Sequence, residues 1–167
     1  MKYISILTLL IGFNISLSQA QSVVAKREFN NTLKAYFEAK NALSKDQVEA
    51  AELASQKLIK VISEFPVKTL SESQQALWKK ESAIILSGAK ELVGEKDLKS
   101  QRKPFEGISN AMYNLTKEFN MHSQAVYWQY CPMVKKSWLN EVEAVQNPYY
   151  GSRMYACGEV KETLATP

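Results

Sequence analysis

Histidine is all but missing from this chain: His122 is the only one among 167 residues. That excludes a zinc site built from several imidazoles, and the His-Glu-x-x-His signature is absent. Cysteine is nearly as scarce, with two residues and no Cys-x-x-Cys pair, so a thioredoxin-like redox motif is excluded as well. There is no glycine-rich phosphate loop, no internal repeat and no low-complexity segment. A thiol nucleophile needs a base and a third group to orient it, and one histidine permits only a single Cys–His pairing. The carboxylates Glu141 and Glu143 lie on a charged stretch and do not read as an acid–base pair. No enzyme is expected. Charge of one sign is lacking too: the formal net charge is +4. Short runs such as Lys79-Lys80 and Lys135-Lys136 read as solvated faces, and no nucleic-acid partner is expected.

Residues 1–20 read as a secretory signal peptide. Met1-Lys2 gives a positive start, Tyr3 to Leu17 is mostly apolar, and Ser18-Gln19-Ala20 is a small-x-small cleavage site. Gly12 and Asn14 interrupt an apolar run already too short for a good membrane span. Cleavage after Ala20 would leave a single domain, residues 21–167, with no membrane insertion. No cysteine follows the site to carry a lipid. A periplasmic or secreted protein is expected.

The mature segment opens with helical periodicity. Phe29, Leu33, Tyr36, Phe37 and Leu43 recur at three- and four-residue steps, as one apolar face of a helix does. Ser44 and Asp46 offer cap oxygens for a second helix bearing Ala51, Ala54, Leu58, Ile62 and Phe65, which Pro66 ends. Ser71 and Gln74 form a capping-box pattern ahead of Leu77, Trp78, Ile84, Ile85, Ala89 and Leu92, with Gly94 as the closing cap. Asp97 to Asn120 carries a fourth stripe, kinked at Pro104. Beyond His122 the pattern turns aromatic and alternating. It predicts a short strand over 125–131, a short helix over 138–145, a turn at Asn147-Pro-Tyr-Tyr-Gly151 and an extended segment over 154–160. The fold class expected is mainly α: an antiparallel up-down bundle of about four helices with a small irregular C-terminal cap containing short strands and a turn.

That cap, residues 122–160, holds the chemistry. Each cysteine has a methionine close by, in Cys131-Pro-Met133 and Met154-Tyr-Ala-Cys157. Thiolate and thioether are soft donors that select Cu(I) or Ag(I) over hard cations. Residues two apart on an extended segment, or three apart on a helical turn, project to one side, so each pair can converge. Cys131, Met133, Met154 and Cys157 are the candidate metal ligands, with His122 as a further one. The alternative for an exported chain is a Cys131–Cys157 disulfide. Methionine as core filler and Trp128 and Trp138 as core aromatics are the corresponding structural readings.

The order Cys-Pro-Met, Trp-Leu-Asn, Asn-Pro-Tyr-Tyr-Gly, Arg-Met and Cys-Gly-Glu-Val resembles the C-terminal signature of domain-of-unknown-function family 3347. Upstream, Tyr36, Lys40-Asn-Ala-Leu43, Asp46, Ala50, Ala51 and Ala54 look like its first helical pair. Gln101-Arg102, Phe105, Ser109 and Leu115 look like its third stretch, whereas Pro104 departs from it. The resemblance implies a module handling copper or silver beside heavy-metal efflux components, because the family also occurs appended to periplasmic adaptors of such pumps. It carries the ligand role onto Cys131, Met133, Met154 and Cys157. The expected function is sequestration or hand-over of a soft ion. The alternative is a disulfide-stabilised interaction domain with Tyr149, Tyr150 and Tyr155 exposed to a partner.

Overall fold

The computed structural model describes the backbone of residues 2–167 and side chains from Ser22 onward; the expected signal peptide lies outside the residues whose side chains are described. The helices are α1 (Lys2–Ser44), α2 (Val48–Ser63), α3 (Glu72–Gly94), a single turn α4 (Leu98–Gln101) and α5 (Phe105–Phe119). Strands β1 (Val126–Cys131), β2 (Lys136–Asn140) and β3 (Glu159–Leu164) follow. The protein is mainly α, an antiparallel bundle of four long helices closed by a small sheet, as its periodicity implies.

The expected apolar stripes are the core. Phe29, Leu33, Tyr36 and Leu43 of α1, Leu58 and Ile62 of α2, Ile85 and Leu92 of α3, and Ile108 and Leu115 of α5 are all buried. Each such side chain contributes about 1.5–3 kcal/mol on leaving water. Phe29 meets Phe119 at 5.3 Å between ring centroids, and Tyr36 stacks on Phe105 at 5.5 Å, which sets α5 antiparallel to α1. Phe65 stacks on Trp78 at 3.8 Å where α2 hands over to α3. Ile84 alone among the expected core residues of α3 turns outward, 41% exposed.

Helix ends follow the sequence in part. The capping box forms: the Gln74 amide donates to Ser71 Oγ, and the Ser71 amide donates to Gln74 Oε1. Gly94 is the last helical residue of α3, with Glu95 in the cap position. Neither Ser44 nor Asp46 caps α2, whose N-cap is Gln47 without a side-chain bond. Ser44 donates back to the Asn41 carbonyl, and Asp46 takes up a left-handed conformation to serve other partners. Pro104 restarts the chain instead of kinking it. It stands at the N-cap of α5, where its missing amide hydrogen costs no helical bond.

The cap differs from expectation at two elements. The predicted helix over 138–145 does not form: its first three residues end strand β2 and 141–145 is irregular, because the Cys131-Pro-Met-Val-Lys135 turn folds the chain straight back onto β1. The Lys135 amide bonds the Cys131 carbonyl at 2.8 Å, with Lys135 at φ 57°, and Trp138 lies opposite Gln129 in an antiparallel register. The predicted extended segment over 154–160 starts later, at Glu159, after a 3-10 turn over Gly151–Met154. Strand order is β2-β1-β3, all antiparallel. The sheet packs through β2 onto α5. Among the described residues no helix is long and apolar enough to cross a membrane.

Candidate functional site

Cys131 ends β1, and Cys157 lies just before β3 begins; pairing of Tyr130 with Glu159 brings the two segments together. Their sulfurs are 3.1 Å apart, as free thiols. Gly158 makes this approach possible. Its φ is +149°, and a Cβ there would stand 2.9 Å from the Tyr130 carbonyl and 3.0 Å from the Trp138 ring.

The two thiols are not equivalent. Cys131 is fully buried, whereas Cys157 is partly exposed. Burial alone would push the Cys131 thiol up. Against it act a hydrogen bond from the Cys157 thiol, the amides of Val134 and Met133, and the Asn147 side chain, which together bring it below its usual value. Cys157 moves the opposite way, first because its hydrogen bond serves the Cys131 sulfur and then because of burial. The arrangement is one sulfur whose neighbours favour its anionic form, with a second thiol as its hydrogen-bond donor.

Asn147, invisible to a search for donors of metal, organises this corner. It is buried; its amide hydrogen bonds the Tyr155 carbonyl at 2.8 Å, and its Nδ2 donates to the Cys157 carbonyl at 2.8 Å. Its Oδ1 accepts from the amides of Tyr149 and Tyr150, the local closure that asparagine favours in turns. The signal for it was present in the Asn-Pro-Tyr-Tyr-Gly motif, read only as a turn.

Residues far upstream pin the same loop. Arg102 donates to the Pro148 carbonyl (2.7 Å), the Leu43 carbonyl (2.7 Å) and the Asp46 carboxylate (2.5 Å). Asp46 also accepts from the amide of Ser152 at 2.9 Å and from its hydroxyl. The Ser152 hydroxyl, chief among these donors, and Arg102 hold the Asp46 carboxyl down at about 2. Gly151 fits here at φ +60°, where a Cβ would collide with Asp46 and Arg102. Lys40 is buried beneath β2. It donates to Asn140 Oδ1 and, at 2.6 Å, to Gln146 Oε1, and it pairs with Glu141 at 3.1 Å. Burial lowers its amine to about 8, with Glu141 opposing. The Tyr36 hydroxyl accepts from the Leu139 amide at 3.1 Å and meets Ser109 Oγ at 2.9 Å.

The candidate ligands therefore separate. Cys131 and Cys157 are together. Met154 is half-buried one turn away, its carbonyl accepting from the Cys157 amide at 3.0 Å. Met133 stands at the turn tip, 63% exposed, outside any closed shell. His122 is not brought to the pair: it precedes β1, while Cys131 ends it, about 17 Å along a strand of that length. It is buried, and Nε2 donates to the Ala165 carbonyl at 2.8 Å. Trp138 is buried against Tyr149, and Trp128 stacks on Tyr113 at 4.3 Å, so both are packing aromatics. Tyr149 is buried as well, its hydroxyl donating to the Ser137 carbonyl at 2.9 Å, which removes it from any exposed partner surface. Among the described residues no three histidine, cysteine or acidic side chains cluster as a metal site.

The sulfur spacing bears on what can bind. Metal–thiolate bonds of about 2.3 Å, the zinc value, need sulfurs about 3.8 Å apart for a tetrahedral ion and about 4.6 Å apart for a linear one. The pair must therefore open by about 0.7 Å for a tetrahedral ion and about 1.5 Å for a linear one, and the partly exposed Cys157 lies outside the strands. Two cysteine sulfurs are soft donors, suited to a soft ion and not to a hard one.

Fold and site together define a four-helix bundle protein whose C-terminal sheet carries a two-cysteine centre. The chain belongs to the family described as Protein of unknown function (DUF3347), which matches residues 32–124. The match spans the bundle and stops short of Cys131, so both cysteines lie beyond it. No curated protein and no solved structure matches the chain.

Proposed function

We propose that this is an exported soft-metal binding protein that sequesters Cu(I) or Ag(I), or hands it to components of a heavy-metal efflux system. The observation that carries the reading is the unlike pair: a buried Cys131 sulfur 3.1 Å from a partly exposed Cys157 sulfur. Amide donors beside Cys131 favour a thiolate, and a thiolate is what a soft ion requires. Cys131 and Cys157 supply the affinity, and the half-buried Met154, three residues before Cys157, is a thioether that could add to it. The signal-peptide pattern of residues 1–20 supports export.

The same proximity supports a second reading, a Cys131–Cys157 disulfide that staples the cap. It would close a loop of some 25 residues, worth roughly 3 kcal/mol in the chain-entropy treatment.

Anaerobic competition of the reduced protein against a coloured Cu(I) chelator separates the two. One equivalent of Cu(I) withdrawn from the chelator, and none by Cys131→Ser with Cys157→Ser, is the expected result. Withdrawal by the double variant equal to that of the wild type removes the metal reading.

A further inference from the structure

Methionine at the tip of a turn needs a reason. A thioether serving as core filler belongs inside, and one completing a closed ligand shell should be shielded from water. Met133 does neither, at 63% exposure. Its backbone nonetheless lies against the centre. Its amide acts on the Cys131 sulfur, and the turn that holds it closes through the 2.8 Å bond from the Lys135 amide to the Cys131 carbonyl. Pro132 and the left-handed Lys135 fix this turn, while the Met133 side chain keeps three rotatable bonds of its own. Cys131 has no exposed surface from which to meet an incoming ion, and Cys157 is only partly exposed, so the exposed Met133 sulfur is the most accessible soft donor of the cap.

Taking the soft-metal reading of the cysteine pair as its basis, we infer that Met133 is the entry ligand, a surface thioether that captures Cu(I) and delivers it to Cys131 and Cys157 without remaining bound. A neutral thioether suits this role, because it is soft enough to displace a donor's ligand and holds the ion more weakly than a thiolate does. In the capture step a bond from Cu(I) to the Met133 sulfur forms as one bond to the donor's ligand breaks. In the delivery step bonds to the two cysteine sulfurs form as the thioether bond and the donor's remaining bonds break, releasing the donor, and each thiol proton passes to water. Copper stays Cu(I) throughout, and no electrons move.

The test uses the reduced, full mature chain and the Cu(I)–bicinchoninate complex as donor, with loss of its colour followed by stopped flow. Met133→Leu keeps size and apolar character and removes sulfur; Met133→Gln keeps length and puts a hard amide in place of the thioether. Both should match the wild type in the equilibrium competition constant while taking up Cu(I) about tenfold more slowly, within the spread that association rates of related variants show. An unchanged uptake rate with binding intact overturns the entry role and leaves the cysteine centre standing. A tenfold or greater loss of equilibrium affinity overturns it differently, by making Met133 a resting ligand. Failure of the wild-type protein to take Cu(I) at all defeats the soft-metal reading, and the role of Met133 with it.

Discussion

The bundle and the cap are built by different physics. Helices α1, α2, α3 and α5 meet through apolar stripes, with buried polar side chains such as Ser109, beside the Tyr36 hydroxyl, set among them. The cap is small and carries only a handful of buried apolar residues, among them Val126, Trp138 and Leu139. It is held instead by directional bonds from side chains about a hundred residues upstream, Lys40 to Asn140 and Asp46 to Ser152 among them. A packed interior tolerates adjustment of its contacts, whereas a buried polar group that loses its partner bears the full desolvation cost. The cap is therefore the more brittle region, and the sulfur pair sits in it.

The largest expected effect tests that brittleness. Gly151→Ala forces a left-handed residue to carry a Cβ into the Asp46 carboxylate, which should cost the cap more than about 3 kcal/mol. Helical circular dichroism should survive while both cysteines become open to a thiol reagent. Simultaneous loss of helix and cap would show that the two regions fold as one unit.

Asp46→Asn should cost about 2 kcal/mol, the worth of a carboxyl brought from 3.8 to about 2. The sign follows from the depressed value: the stabilisation is complete above pH 4 and disappears as pH falls through about 2. Wild-type cap stability, read from cysteine protection, should decline over that window, and the variant should decline less, keeping only the contribution of carboxylates such as Glu162, which Tyr113 and Lys117 also hold down. An equal acid response in both would mean that Asp46 does not hold the loop.

Ser71→Ala probes the other region. Loss of the capping box should lower the bundle's stability by about 1 kcal/mol in denaturant unfolding and leave cysteine reactivity unchanged below the transition. Increased thiol exposure in that variant under native conditions would join the two regions where the comparison separates them.

The same contrast explains what could be read in advance. Helical stripes are periodic, so Phe29, Leu58, Ile85 and Leu115 announced their burial, and the four-helix bundle followed. Ile84 failed only because α3 presents a narrower face than its run of isoleucines suggested. In the cap, Trp138 to Val145 looked helical because nothing local showed that the turn after Cys131 would return the chain to β1. Asp46 looked like a cap because its true partners, Arg102 and Ser152, are distant in sequence. Local spacing marked Cys131 and Cys157, which the fold brings together, yet could not show that Met133 would face water or that His122 would sit at the far end of β1. Asn147 was missed because its work is done through backbone groups, and such work has no composition.

The central claim is that the unlike cysteine pair holds a soft ion. Native mass spectrometry of the mature protein, reduced and titrated anaerobically with Cu(I), tests it most directly. The account predicts a single one-copper adduct, lost in Cys131→Ser and in Cys157→Ser. A protein isolated lighter by its two thiol hydrogens, and taking no copper even after reduction, would contradict the account and identify the pair as a structural staple.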